Sequence, residues 1–199
     1  MKILIVSDFV VPELTGRFDI RPFSAVDLAL SCGDLPPEYL ANIRERLDIP
    51  LYYVRGNHDI RYRSSPPLGC VDLHRRRLAF GGFRIMGLEG SRWYNGGPIQ
   101  YREGQMRRMI WRMAPFLWFS KGVDIIVTHA PPRHIHDAED RCHRGFKSYL
   151  KLISRFEPRY FIHGHIHAHF TDATQRVTRV GNTDVINAVG FHLLEIKDG

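Results

Sequence analysis

Pro50-Leu51-Tyr52-Tyr53-Val54-Arg55-Gly56-Asn57-His58-Asp59 passes from an apolar run, through a sharp turn, into three polar side chains. Residues 50–54 read as a buried strand, and Gly56 permits the turn at its end. An amide, an imidazole and a carboxylate then follow in succession. Loops at the ends of strands are where α/β proteins carry their sites. The strand therefore predicts a sheet, and the three polar residues predict a site at its edge.

Working outward, residues 2–6 form another apolar strand, closed by Ser7-Asp8, and residues 25–30 lead to Ser31-Cys32-Gly33-Asp34. Residues 38–47 have helical spacing, with Leu40, Ile43 and Leu47 on one face and Pro36-Pro37 suiting the start. Strand, crossover and strand recur, which is the pattern of βαβ units and a parallel sheet. Residues 71–80 and 83–88, separated by Gly81-Gly82, read as an antiparallel hairpin. A helix is expected over residues 103–118, interrupted near Pro115, and another over residues 146–156. Residues 123–127 and 160–162 are core strands, ending in Thr128-His129 and in His163-Gly164-His165-Ile166-His167. The tail alternates through residues 175–179, 183–188 and 191–196, predicting a second, antiparallel sheet.

Asp8, Asp34, Asn57, His129, His165 and His167 all stand just past apolar runs. Singly, each has a plainer reading as a helix cap, a hydrogen-bonded loop histidine or a turn asparagine. In a parallel sheet, however, such ends share one edge, so the six converge. Carboxylate, amide and imidazole donors together suit divalent Mn, Fe, Zn, Co or Ni. One or two such ions are the expected cofactor. A pair roughly 3.5–4 Å apart activates water and neutralises phosphoryl charge.

The blocks Asp8-Phe9-Val10, Gly33-Asp34, Gly56-Asn57-His58-Asp59, His129 and Gly164-His165-Ile166-His167 resemble, in order, the motifs of calcineurin-like metallophosphoesterases. The resemblance implies a four-layer α/β/β/α sandwich of two mixed sheets flanked by helices, as one domain over residues 1–199. It also implies metal-dependent hydrolysis of phosphomonoesters or phosphodiesters, small molecules or nucleotides. On this pattern Asp34 bridges two metals, Asn57, His129 and His165 complete one site, and Asp8 and His167 serve the other. His58 faces the substrate and Asp59 orients its imidazole. One departure stands out: the family's first motif is Asp-x-His, and Val10 replaces that histidine. The Asp8–His167 site is thereby short of a protein ligand. Glu13, His136, His143, His163 and His169 are candidate substitutes that nothing in the sequence separates; His163 and His169 read as ordinary loop residues, and Cys142 as a small buried apolar side chain. A metal- or phosphate-binding regulatory module that has lost full two-metal chemistry is the alternative, and a nuclease is a third reading.

The 199 residues, 44% hydrophobic and 25% charged, suit one soluble globular domain with a substantial core. No apolar run nears the roughly 20 residues of a membrane helix, and the N-terminal run lacks the layout of a signal peptide. Three widely spaced cysteines exclude a disulfide framework, so a cytoplasmic protein is expected. The net charge of +7 favours phosphate-bearing molecules, but the basic residues are scattered rather than gathered into a nucleic-acid stripe.

Overall fold

A computed structural model describes residues 1–119 and 122–196. The first sheet runs β13-β1-β2-β3-β4, in which β1 (Lys2–Ser7), β2 (Leu28–Ser31), β3 (Leu51–Tyr53) and β4 (Val71–Asp72) are parallel and β13 (Gly190–Glu195) is antiparallel to β1. The second runs β11-β12-β10-β9-β6-β5. Its parallel centre is β12 (Thr183–Asn187), β10 (Tyr160–His163), β9 (Ile125–Thr128) and β6 (Phe83–Leu88), with β11 (Val177–Val180) and β5 (Arg77–Phe80) antiparallel at the edges. A short ladder pairs β7 (Ser91–Arg92) with β8 (Gln100–Tyr101).

Alternation along β1 shows why the chain folds into four layers. Ile3 and Ile5 point between the sheets, meeting Ile85, Ile125, Val127 and Ile162 of the second sheet. Leu4 and Val6 point outward and pack with Leu40 and Ile43 of helix α1 (Pro37–Leu47). On the far side, Met86, Ile126 and Phe161 pack with Met106 and Leu117 of α2 (Glu103–Phe119) and with Tyr149 and Leu152 of α3 (Lys147–Phe156). Central strands covered on both faces carry near-continuous apolar runs, as residues 3–6 do. The architecture is the expected α/β/β/α sandwich.

Three local expectations are corrected. Residues 71–80 are not one strand: β4 belongs to the first sheet and β5 to the second. Leu73 is buried between the sheets, and Arg75, with φ of 55°, turns the chain across. The tail forms no sheet of its own. β12 lies parallel beside β10, while β13 crosses to β1, so each satisfies an open edge of a different sheet. Helix α2 continues through Pro115, whose ring is exposed while Met113 and Leu117 anchor the last turns in the core.

Candidate metal centre

Asp8, Asp34 and Asn57 follow β1, β2 and β3 of one sheet, and His129, His165 and His167 follow β9 and β10 of the other, so the two sheets meet at these C-terminal ends. Backbone bonds tie the loops together: the Asp8 N–H donates to Gly33 O (3.1 Å) and the Gly164 N–H to His129 O (3.0 Å). The loops pass so closely that side chains are excluded at Gly33, Gly56 and Gly164. A Cβ at Gly56 would lie 2.0 Å from Asp34 Oδ1, and one at Gly164 would lie 1.9 Å from Ser7 Oγ. Asp8, Asp34 and His165 adopt positive φ values of 65°, 57° and 68°. Non-glycine residues held this way cluster at functional sites, because the surrounding packing has to impose the conformation.

The ligand atoms of Asp34, His129 and His165 all lie within 4.8 Å of one another. His129 Nε2 stands 3.3 Å from Asp34 Oδ2 and 3.1 Å from Asn57 Oδ1. Its Nδ1–H donates to the Cys32 carbonyl at 2.8 Å, which aims Nε2 at the two oxygens. Burial alone would depress the His129 pKa, but the Asp34 charge and hydrogen bond, with Asp8 behind, raise it to about 9. Burial acts on Asp34 in the opposite sense to His129, whose charge and bond hold that carboxyl down at about 2. Below that pKa the second ring proton of His129 would stand where two oxygens and a ring nitrogen converge. That donor set fits a divalent cation in its place.

His165 is prepared differently. Its Nε2–H donates to the Cys142 carbonyl (2.9 Å), leaving Nδ1 as the lone-pair nitrogen. Burial, then the charge of His129, push its pKa down to about 3, so the ring stays neutral and ready to ligate. The Asn57 amide is oriented by donating from Nδ2 to Tyr94 Oη at 3.2 Å, which turns Oδ1 toward His129.

Asp8 and His167 lie alongside rather than within this cluster. Asp8 accepts the His165 N–H on both oxygens at 3.0 Å, and His167 Nε2 is 3.5 Å from Asp8 Oδ1. The His167 pKa is raised, chiefly by its bond to Asp8. The aromatic ring of Phe9, 4.8 Å from the His167 ring, occupies this side of the centre, and Val10 is exposed.

His58 presents an exposed imidazole in a cleft shared with Asp34, Pro36 and Arg61, while its backbone N–H donates to Asp34 Oδ1 (2.8 Å). Asp59, expected to orient that imidazole, makes no hydrogen bond to it. Its carboxylate, almost wholly buried, instead accepts the N–H groups of Asp34 and Gly56 (both 2.7 Å) and of Leu35 (3.2 Å). Burial and the Asp34 charge raise Asp59 to about 6 in spite of those bonds.

Sequence reasoning missed Tyr94 and the carbonyls of Cys32 and Cys142. Tyr94 lies in a glycine-rich loop with no local signal, and main-chain acceptors have none by nature. Cys142 is half-buried rather than a packed core residue. His163, read as a loop residue, is fully buried and closes a chain of neutral rings: its Nδ1–H donates to Gly164 O (2.9 Å), and its Nε2 accepts from His136 Nδ1–H (2.9 Å). Burial pushes it to about 3.

A profile of the calcineurin-like phosphoesterases matches residues 1–169. The chain belongs to that family. Metallophosphoesterase domain-containing protein 1 of Homo sapiens is 30% identical over 122 residues, 60% of this chain and 34% of that protein, and the Mus musculus protein is equally similar. This calcineurin-like phosphoesterase therefore aligns with about a third of the length of those relatives. Among solved structures, TT1561 of Thermus thermophilus has a TM-score of 0.63 at 15% identity, covering 95% of this chain and 89% of that one. A putative 5'-nucleotidase from Staphylococcus aureus, solved with alpha-ketoglutarate, has a TM-score of 0.56 at 13% identity, covering 98% of this chain and 51% of that one. At those identities the likeness is one of fold.

Proposed function

We propose that this protein is a metal-dependent phosphoester hydrolase acting on small phosphomonoesters or phosphodiesters, nucleotides included. The observation that carries the reading is the convergence of Asp34, His129 and His165 within 4.8 Å, with Asn57 Oδ1 turned onto His129 Nε2. A divalent ion held there supplies Lewis-acid activation of a water and neutralises charge on the phosphoryl group. The residues do the rest: Asp34 is held ionised, His165 is held neutral, and exposed His58 is placed to meet a phosphoryl oxygen or the leaving alcohol. Asp8 and His167 make the second, weaker position. Mn is the first ion to try, with Fe, Zn and Ni behind it. The unpaired Cys32, Cys70 and Cys142 support a reducing, cytoplasmic setting, and no helix among the described residues is long and apolar enough to cross a membrane.

The test is a panel of chromogenic mono- and diesters, run after chelation with each metal restored singly. Activity is expected to vanish on chelation and return with Mn or a similar ion; full turnover in excess chelator overturns the reading. His58→Ala is expected to keep its metal and lose roughly 10²–10⁴-fold in turnover, less on an aryl ester whose leaving group needs no proton. Phe9 and Val10 at the Asp8–His167 side favour one rival, a module that binds metal and phosphate without turnover. Tight phosphate binding with no hydrolysis across the panel would select it.

A further inference from the structure

On the outer face of the second sheet, α2 and α3 lie side by side with a groove between them. Ile110, Trp111, Ala114, Trp118, Leu152 and Phe156 give it an apolar lining, and Arg107, Lys151 and Arg155 border it. Trp111 is 73% exposed and Trp118 56%, and Phe119 beyond them is 90% exposed. Aromatic rings gathered in this way on one face mark an interaction site rather than incidental surface. The Trp118 wall is already braced: the Arg155 guanidinium stands 4.9 Å over its ring, and Phe156 lies 6.4 Å away.

Charge indicates what the groove accepts. The two helices carry Arg107, Arg108, Arg112, Lys147, Lys151 and Arg155 against a single acid, Glu103. Glu103 is already engaged by the Lys147 and Ser148 N–H groups (3.0 and 2.7 Å) and by Arg92 (3.3 Å). Ser148, at the floor of the groove, is only 4% exposed and its Oγ is closed to solvent, so recognition rests on the apolar lining and the basic border.

We infer that this groove docks an acidic amphipathic helix of a partner protein. The partner's apolar stripe lies along Trp111 and Trp118, and its carboxylates meet Arg107, Lys151 and Arg155. A membrane surface is a poorer fit, because the apolar lining lies in a groove between two helices rather than on a flat or convex face. A second copy of this chain would set one basic face against another. The site lies apart from the metal centre and does not depend on its chemistry.

The experiment uses the whole chain. A random library of 16-residue displayed peptides is selected against it, and the consensus peptide is synthesised and titrated by tryptophan fluorescence and calorimetry. The expected consensus places apolar residues at i, i+3, i+4 and i+7 with Asp or Glu between them. Its affinity is expected to fall by about tenfold or more with Lys151→Glu plus Arg155→Glu, and to recover when the peptide's acids are exchanged for lysines. Trp111→Ala should weaken it similarly, with thermal unfolding confirming that these exposed substitutions leave the fold intact. Should the double variant fail to fold, the lysine-substituted peptide against the natural chain carries the test. Failure to enrich a peptide, a basic or neutral consensus, or indifference to charge reversal overturns the proposal. So does adsorption to phosphatidylserine vesicles without peptide binding, or self-association that quenches the groove tryptophans.

Discussion

His129 is the residue on which the metal-free protein turns. Its Nε2 stands between Asp34 and Asn57, and its pKa is raised to about 9, above the unfolded value near 6.5. The stabilisation from its protonation is complete below pH 6.5 and is lost as pH rises through 9. His163 and His165 act in the opposite direction. Both are held neutral down to about 3, so stability falls as pH drops below 6.5, with raised Asp59 partly opposing the loss. Thermal unfolding in chelator is therefore expected to show falling stability on both sides of pH 6.5. A metal must displace the His129 proton, so affinity should rise by about tenfold per pH unit up to pH 9, and calorimetry in paired buffers should count one proton released. An affinity flat in pH would mean that His129 is not a ligand. Tyr94→Phe, which removes the partner of the Asn57 amide, is expected to weaken metal binding by roughly tenfold.

Among the elements, the loop after β3 is held by its own last residue. Asp59 gathers three backbone donors, and Arg55, just before the glycine, pairs with buried Glu89 at the end of β6 (2.7 Å), pinning the loop to the second sheet. Asp59→Ala is expected to cost on the order of 3 kcal/mol of stability and to lower metal content as well as turnover, because buried N–H groups lose their acceptor. A variant that keeps its metals and stability but loses turnover would restore the role of orienting His58. The other loop has no room to give. Gly164→Ala would force a methyl group onto Ser7 Oγ and Asp8 Oδ2, so it should disturb Asp8 and release metal even at modest substitution size.

Across the whole molecule, the two sheets contribute three residues each to the centre they share, but its two positions are unequally furnished. Asp34, Asn57, His129 and His165 form a buried cluster, whereas His167 is half exposed and, on its free side, faces Phe9 rather than another ligand. Elemental analysis after mild dialysis is expected to find the cluster filled and the Asp8–His167 position emptied first. Val10→His should tighten that position and lower the metal concentration needed for half-maximal activity. Two firmly held ions in the natural protein, unchanged by the substitution, would mean that another side chain already replaces the missing histidine.

The core strands were legible because burial on both faces leaves a near-continuous apolar run, and the candidate donors because each stands just past such a run. The family pattern then supplied the layers and the order of the blocks. What the sequence did not reveal was partnership. Alternation in residues 183–196 specifies which side chains face inward but not which strand edge receives them, and here β12 and β13 part to different sheets. Residues 71–80 divide likewise, because a left-handed Arg75 redirects the chain once Leu73 is buried. Asp59 shows the same limit at the site: its residue type was evident, but whether it meets an imidazole or three amides depends on how the turn closes. Tyr94 and the two carbonyls that set the histidine tautomers come from loops distant in sequence, and only folding brings them within hydrogen-bond reach.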